Sequence, residues 1–272
     1  MNEKIMVRTS SFIVILIIST LLFSCENETI IRDAEYPEQS IYLPAAYTNG
    51  QFVIDDITRK RGEQPTEGYL YRYIVDNDAN KFIIPLSVYR AGVNNNGNFT
   101  VDIEVNNDTI AALNANRDLS DILHVIPEDK YSIVNSVEMR NGEGIAQFDL
   151  SIDLDYLLDN YPDKLFALGI HISSSEREVN PDLSTVIVII HTKIMKPTAD
   201  FTISLEGRRA FFDNNSLMAS SYVWDFGDGY YSDESSPSHT YSSSGTYKAT
   251  LTAIGITGNR DRSVESIEIT VY

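Results

Sequence analysis

Cysteine is almost absent from this chain, whose 272 residues contain one, Cys25. A disulfide needs two thiols, so no internal bridge can form and stability has to come from packed apolar cores. Tryptophan is equally scarce, with Trp224 alone, whereas 16 tyrosines and 11 phenylalanines supply aromatic residues that favour strands. The composition, 43% hydrophobic and 22% charged, indicates globular domains rather than disorder.

Positive charge is also in short supply. The chain has 21 basic residues against 39 acidic ones, which gives a net charge of −18. A surface of this sign repels the phosphates of nucleic acids and anionic lipids, and it favours neutral or cationic ligands. We therefore expect no nucleic-acid partner.

One long apolar run is present, from Phe12 to Phe23, and it follows the basic residues Lys4 and Arg8. It is shorter than the roughly 18 residues that span a bilayer, so residues 1–24 are predicted to be a signal peptide. The run ends in Leu22-Phe23-Ser24-Cys25, which resembles the lipobox of bacterial lipoproteins. The resemblance implies acylation of Cys25; an ordinary signal followed by a free thiol is the alternative.

The residues after Cys25 give an expectation about location. Glu26-Asn27-Glu28 resembles, loosely, the acidic export tag of Bacteroidota lipoproteins. The resemblance implies an outer-membrane lipoprotein that faces the cell exterior and has the membrane as a partner through its lipid. Residues 25–39 are polar and without periodicity, so we predict a flexible tether.

Alternating apolar residues follow the tether. Period-two patterns in 81–90, 98–106 and 145–153 predict strands with one buried face. The run Thr185 to Ile190 is continuously apolar and predicts a strand buried on both faces. Residues 40–195 are thus predicted to form an antiparallel β-sandwich.

Turn and cap residues lie between these strands. The clusters 94–98 and 141–144, rich in Asn and Gly, are typical of hairpin connections. Asp108 and Asp153 are each predicted to cap a short helix.

Lys196-Pro197 marks a second boundary, and residues 197–272 show short alternating strands of their own. That spacing predicts a small immunoglobulin-like sandwich. The predicted fold class is all-β, with two consecutive immunoglobulin-like β-sandwich domains after the signal peptide.

A motif in the second domain resembles the PKD (polycystic kidney disease) domain. It reads Trp-Asp-Phe-Gly-Asp-Gly, then Pro-x-His-x-Tyr and Gly-x-Tyr, and its residues are Trp224, Asp225, Phe226, Gly227, Asp228, Gly229, His239, Tyr241 and Tyr247. The resemblance covers 197–272 and implies a non-catalytic extracellular module that acts as a spacer or contacts glycans or proteins. Alternation predicts that Trp224 and Phe226 enter the core, and His239 is predicted to be a half-buried strand histidine.

The first domain has a softer resemblance. Tyr42-Leu43-Pro44-Ala45-Ala46 near its start, the segment 168–175 and the run 185–190 resemble an N-terminal domain of unknown function. That family occurs on surface lipoproteins of Bacteroidota polysaccharide-utilisation systems. The resemblance covers about 36–193 and implies a setting of glycan uptake.

No catalytic constellation stands out. The sequence has no Gly-x-Ser-x-Gly elbow, and the histidines His124, His171, His191 and His239 show no zinc-binding spacing. A glycosidase pair among the many acids stays open. Asp213, Asp225, Asp228 and Asp233 could suggest a calcium site, but their spacing lacks the register of a calcium loop. We predict neither a catalytic residue, nor a cofactor, nor a metal.

Sugar binding asks for less, namely exposed aromatic rings beside polar groups. Tyr69, Tyr71 and Tyr73 fall on one face of a strand, and Tyr230 and Tyr231 follow the Gly229 turn. These five are the candidate glycan-stacking residues, and the alternative is that they simply cover sheet faces. The leading hypothesis is a non-enzymatic surface lipoprotein that assists glycan capture, with polysaccharide or neighbouring surface proteins as partners. The alternative is a structural or adhesive spacer that presents a protein contact surface.

Overall fold

The computed structural model describes residues 39–57, 72–115, 117–118, 121–160 and 164–272. The predicted signal peptide 1–24, Cys25 and most of the tether 25–39 lie outside the described residues, as do Tyr69 and Tyr71. Within the described ranges, no helix has the length and apolarity needed to cross a membrane.

Two sheets contain the strands of the first half. The strands and helices in chain order are β1 Ser40–Tyr42, β2 Gln51–Ile54, β3 Ile74–Asp76, β4 Lys81–Ala91, β5 Phe99–Val105, α1 Asp108–Asn114, β6 Leu123–Val125, β7 Tyr131–Ser132, β8 Ser136–Met139, β9 Ile145–Asp153, α2 Leu154–Asp159, β10 Leu165–Ser173, β11 Glu178–Val179 and β12 Thr185–His191. Sheet I has the order β11-β1-β4-β9-β7, with β3 also on β4. Sheet II has the order β2-β12-β10-β5-β8, with β6 also on β10.

The prediction of an antiparallel sandwich is right for most pairs and wrong for three. The pairs β1–β11, β2–β12 and β6–β10 are parallel. Each of these pairs includes a short strand: β11 and β2 lie at sheet edges, and β6 lies beside the longer β10. The partner of each short strand also has an antiparallel neighbour.

The alternation along β4 shows why these strands form a sandwich. Phe82, Ile84, Leu86 and Val88 are all buried, and the residues between them lie on the other face. The buried side chains of both sheets form one hydrophobic core. Strand β12 is buried on both faces from Val186 to Ile190, as its unbroken apolar sequence predicted.

The two predicted hairpin turns are wrong. Residues 94–98 connect β4 in sheet I to β5 in sheet II, and residues 141–144 connect β8 in sheet II to β9 in sheet I. Each segment therefore crosses from one sheet to the other. Asn141 joins the two crossings, since its side-chain oxygen accepts from Gly97 N at 2.9 Å and its own N–H donates to Asn98 Oδ1 at 2.7 Å.

Arg90 holds the same two crossings from inside. Its buried guanidinium donates to the carbonyls of Asn96 and Gly97 at 3.0 Å each and of Arg140 at 3.2 Å, and it lies 4.7 Å from the Phe99 ring centroid. Burial, followed by the positive charge of Arg177, lowers the pKa of Arg90. The side chain thus supplies donors to carbonyls that no sheet ladder pairs.

Both short helices occur where the sequence placed them. Asp153 caps α2, because its carboxylate accepts from Tyr156 N at 3.2 Å. For α1 the cap prediction is one residue off, since Asp108 is the first helical residue and Asn107 precedes it.

The second half forms a smaller sandwich. Its strands are β13 Phe201–Glu206, β14 Arg209–Asn214, β15 Ser221–Asp225, β16 Tyr231–Ser232, β17 Ser238–Thr240, β18 Gly245–Gly255 and β19 Gly258–Val271. Sheet III has the order β13-β14-β17 and sheet IV the order β16-β15-β18-β19. The predicted alternation holds, since Ala249, Leu251 and Ala253 on β18 are fully buried in a second core. The chain is therefore all-β, with two sandwiches in succession.

Side chains connect the two sandwiches. Met218 and Ile256 of the second pack against the hydrophobic core of the first. Arg260 on β19 forms an ion pair with Asp155 of α2 and donates to Asn80 Oδ1 at 3.2 Å. Residues 39–272 accordingly form one structural unit.

Candidate functional site

The candidate site is the turn after β15, and it begins with two buried rings. Trp224 and Phe226 are two residues apart and both lie in the core of the second sandwich, as predicted. The Trp224 indole N–H donates to the Glu234 carbonyl at 2.9 Å. This bond anchors the segment that leaves the turn to the strand that enters it.

Glycine lets the chain reverse here. Gly227 and Gly229 have φ angles of +84° and +92°, in the left-handed region that side chains disfavour. A Cβ on Gly227 would also lie 2.6 Å from the Lys248 carbonyl oxygen, so this position has no room for one. Asp225 accepts from Gly227 N at 2.9 Å, which is an Asx turn on the solvent side.

Asp228 and His239 close the turn. Asp228 Oδ2 lies 2.7 Å from His239 Nε2, and its Oδ1 accepts from Tyr230 N at 3.3 Å. His239 is half-buried on β17, as predicted, and its ring stacks on Phe226 at 4.3 Å between centroids with an angle of 2° between the planes. The pair joins a strand of sheet III to the turn of sheet IV.

Tyr241 supports the turn from within the core. Its hydroxyl donates to the Phe226 carbonyl at 2.9 Å, and its ring stacks on Tyr247 at 4.2 Å between centroids. Burial, followed by the negative charge of Asp228, raises the pKa of Tyr241 to about 12. The hydroxyl therefore stays protonated and keeps donating at physiological pH.

The turn presents the two predicted stacking tyrosines to solvent. Tyr230 and Tyr231 are each 65% exposed. Tyr231 pairs with Asp225 on β15, which pairs in turn with Thr250, so its ring shares the outer face of sheet IV with polar side chains. Tyr230 lies on the His239 side, with 5.6 Å between the ring centroids. The rings thus occupy adjacent faces of one turn.

The prediction that Tyr73 stacks on a sugar is wrong. Its side chain is only 4% exposed and its ring stacks on Phe82 at 4.9 Å between centroids. The predicted face of this segment turns inward at Tyr73, where the core of the first sandwich covers it.

The structure also brings together three tyrosines that were not predicted as a group. Tyr42 lies 5.7 Å from Tyr47 and 5.8 Å from Tyr89, measured between ring centroids. Tyr42 and Tyr47 are five residues apart, but Tyr89 is distant from both in sequence, and its only signal is that it is out of phase with the buried residues of its strand.

Two of the four acids considered for a calcium site contact other groups of the protein. Asp225 accepts from Gly227 N and Asp228 contacts His239, as described above. In the described part of the chain, no three or more His, Cys, Asp or Glu side chains are grouped so as to hold a metal ion.

Two protein-family models match the chain, one in each half. A family model described as an N-terminal domain matches residues 36–179, which is more than half of the 272-residue chain. The PKD domain model matches residues 196–271. The chain belongs to this N-terminal-domain family and carries a PKD domain. The PKD resemblance is confirmed, and the resemblance of the first domain is confirmed as far as an N-terminal-domain family.

Among curated proteins, the chain is similar to the pre-pro-metalloprotease PrtV of Vibrio cholerae. The two are 29% identical over 143 residues, which is 50% of this chain and 15% of PrtV. The chain therefore spans only a small part of that relative.

Solved structures give similar partial matches. The PKD1 domain of PrtV is 34% identical, covers 28% of this chain and 96% of its own, and has a TM-score of 0.27. A protein of Bacteroides ovatus, described as a candidate carbohydrate-binding protein, is 11% identical, covers 86% of this chain and 60% of its own, and has a TM-score of 0.40.

Proposed function

We propose that this protein is a non-enzymatic, lipid-anchored protein of the outer membrane that assists glycan binding at the cell exterior in a polysaccharide-utilisation system. The observation that supports glycan binding is the exposure of Tyr230 and Tyr231 on the PKD turn. An exposed aromatic ring binds the apolar face of a sugar, and polar neighbours bind its hydroxyl groups. Asp225 and Thr250, in register with Tyr231, are such neighbours.

The turn is suited to binding because it is fixed before a ligand arrives. The left-handed glycines allow the backbone to form the turn, and the Asp228–His239 pair and the Tyr241 hydroxyl restrain it. A restrained aromatic side chain loses little conformational entropy on binding, so more of the contact energy remains as affinity.

Affinity electrophoresis of the full chain in gels that contain neutral polysaccharides tests the glycan proposal. We expect at least one polysaccharide to retard the protein, and the double variant Tyr230→Ala/Tyr231→Ala to migrate faster in that gel. Tyr272→Ala is the matched control, since it removes a tyrosine that is 86% exposed but distant in sequence from the turn. Equal retardation of the double variant and the wild-type chain would contradict a role for the turn.

The lipid anchor rests on Cys25 and the signal peptide 1–24. Each buried acyl CH₂ contributes about 0.8 kcal/mol to membrane binding, so several chains form a durable anchor. Mass spectrometry of the native protein is expected to show an acylated Cys25 as the first residue, and Cys25→Ser is expected to release the protein from membranes. An unmodified thiol or an intact Met1 contradicts the anchor.

A spacer that presents a protein contact surface is the second candidate. It is favoured by the contacts of Met218, Ile256 and Arg260 with the first sandwich, because a spacer has to hold its far end at a fixed position. If no polysaccharide retards the full chain and small-angle scattering shows one rigid particle, the spacer is the better proposal.

A further inference from the structure

The outer face of sheet I differs from its buried face in chemistry. Alternation along β4 and β9 places Phe82 to Val88 and Ala146 to Ile152 in the core at every second position. The residues between them form rows across the face, with Tyr89 opposite Ile145, Ser87 opposite Gln147, Pro85 opposite Asp149 and Ile83 opposite Ser151. Neighbouring rows are about 7 Å apart, because two residues of a strand span that length.

The aromatic end of this face consists of Tyr42, Tyr47 and Tyr89. Tyr42 on β1 pairs with Tyr89 on β4, so both rings stand in the same row as Ile145. The chain then turns through a short 3-10 helix, Pro44–Ala46, and brings Tyr47 back beside Tyr42. Tyr47 is 64% exposed, while Tyr42 and Tyr89 are half-buried.

The hydroxyl group of Tyr42 keeps its proton. Burial, followed by the hydrogen bond with Tyr47, raises the pKa of Tyr42 to about 12. Tyr42 therefore offers a neutral ring and a hydroxyl donor at physiological pH, not a phenolate.

Polar side chains continue the face beyond the tyrosines. Gln147 and Asp149 on β9 are exposed, and Ser87 and Ser151 are partly exposed beside them. An amide, a carboxylate and hydroxyls in consecutive rows are groups that bind the hydroxyls of a sugar chain. Gln147, Asp149 and Ser151 also line a groove of about 500 Å³, whose lining residues outside β9 come from 132–137 and include none from β1 or β4.

The charge of the protein and the geometry of the rings limit the kinds of glycan that this face can bind. The net charge of −18 and the carboxylate of Asp149 disfavour an anionic glycan. The ring planes of Tyr42 are inclined by 67° to Tyr47 and by 50° to Tyr89. Rings so inclined cannot all stack on one flat crystalline surface, but they fit a single chain that turns between successive sugars.

We propose that the outer face of sheet I is a second glycan site, which binds a single chain of a neutral polysaccharide with Tyr42, Tyr47 and Tyr89 stacking on sugars and Gln147 and Asp149 bonding to their hydroxyls. This inference rests on the proposed function and assigns it a place in the first sandwich. It is separate from the PKD turn, because no residue is shared between the two sites.

Titration calorimetry and affinity electrophoresis of the full chain test this site. The probes are soluble neutral polysaccharides (amylopectin, galactomannan and laminarin), the anionic polygalacturonate and microcrystalline cellulose. We expect a soluble neutral probe to bind, and Tyr47→Ala/Gln147→Ala to weaken that binding at least tenfold with an unchanged melting temperature. Tyr272→Ala is the control and should bind as the wild-type chain does.

The outcomes separate this site from the proposed function. If no probe binds the wild-type chain, glycan binding itself fails. If binding is lost in Tyr230→Ala/Tyr231→Ala and unchanged in Tyr47→Ala/Gln147→Ala, the PKD turn is the only site and this inference is overturned. Preferential binding to polygalacturonate or to cellulose overturns the assignment of a neutral single chain.

Discussion

His239 lies on a strand of sheet III and Asp228 in the turn of sheet IV, and Nε2 of the imidazole is 2.7 Å from Oδ2 of the carboxylate. The same imidazole stacks in parallel on Phe226, the last buried ring before the turn. The side chain of His239 therefore contacts both Asp228 and Phe226 in the turn that presents Tyr230.

His239→Ala is expected to lower the free energy of unfolding by about 1–3 kcal/mol, because it removes a hydrogen bond to a charged group and an aromatic stack. Urea unfolding followed by the fluorescence of Trp224 measures this. His124→Ala is the control, since His124 is exposed, and it should change stability by less than about 0.5 kcal/mol. Equal effects of the two substitutions would argue against the His239 contacts.

Gly227→Ala and Gly142→Ala form a matched pair. Both glycines have positive φ, +84° and +88°, so alanine costs about 1–2 kcal/mol at either position through its backbone alone. Only at Gly227 does the new Cβ meet backbone, 2.6 Å from Lys248 O, whereas nothing lies within 4 Å at Gly142. Thermal unfolding should show a larger loss for Gly227→Ala. A larger loss at Gly142 would contradict the described packing.

Arg90→Met is expected to destabilise the first sandwich by about 1–3 kcal/mol, because the carbonyls of Asn96 and Gly97 lose the donors that Arg90 supplies. Arg90→Lys should restore little of this, since one ammonium cannot replace a planar fork of donors. Chemical denaturation of the full chain measures both variants. Arg140→Ala removes a side chain that is 68% exposed and serves as the control. If Arg90→Met left the free energy of unfolding unchanged, the two sheet crossings would not depend on Arg90.

Asp153 and Asp261 should act oppositely on the pH dependence of stability. Burial alone raises the pKa of Asp153, but the Tyr156 N–H, Lys130 and Asn80 outweigh it and lower the pKa. Its contribution is therefore present above the unfolded pKa and is lost as the pH falls through the folded one. Asp153→Asn should lower stability at neutral pH, because asparagine can still accept from Tyr156 N but loses the charge that pairs with Lys130, and it should flatten the acid side of the curve.

The pKa of Asp261 is raised, mainly by burial. Its contribution is greatest at acid pH and is lost as the pH rises through the folded pKa, so Asp261→Asn should stabilise the protein at neutral pH. Denaturation series from acid to neutral pH compare the two variants. Curves that shift in the same direction would contradict these assignments.

The sequence predicted where the strands lie, but it did not predict which strands pair with one another. Period two along 145–153 shows which residues are buried, but it does not say whether the next strand joins the same sheet. The Asn- and Gly-rich segment 141–144 has the composition of a hairpin turn, yet it crosses between sheets because β8 pairs with β5. The PKD turn was predictable because its chemistry is local, from Trp224 to Gly229.

The aromatic residues likewise divide into those whose exposure follows from neighbours in sequence and those whose position depends on tertiary packing. Tyr230 and Tyr231 follow a glycine turn directly, so their exposure was predictable from neighbours in sequence. Tyr73 lies on an alternating segment, and only the packing of Phe82 decides that its ring faces inward. Tyr42 and Tyr89 meet through the register of β1 on β4, which no local pattern contains, and the short helix Pro44–Ala46 brings Tyr47 beside Tyr42.

The position of β1 has a mechanical consequence. This strand lies between β11 and β4 in sheet I, and residue 39 leads directly into it. If the chain is anchored through Cys25 as proposed, tension on the protein would reach β1 along the strand axis and load both rows of its hydrogen bonds together, so that they would resist by shearing and would not open one at a time. The first sandwich would then withstand drag on whatever its far surfaces hold.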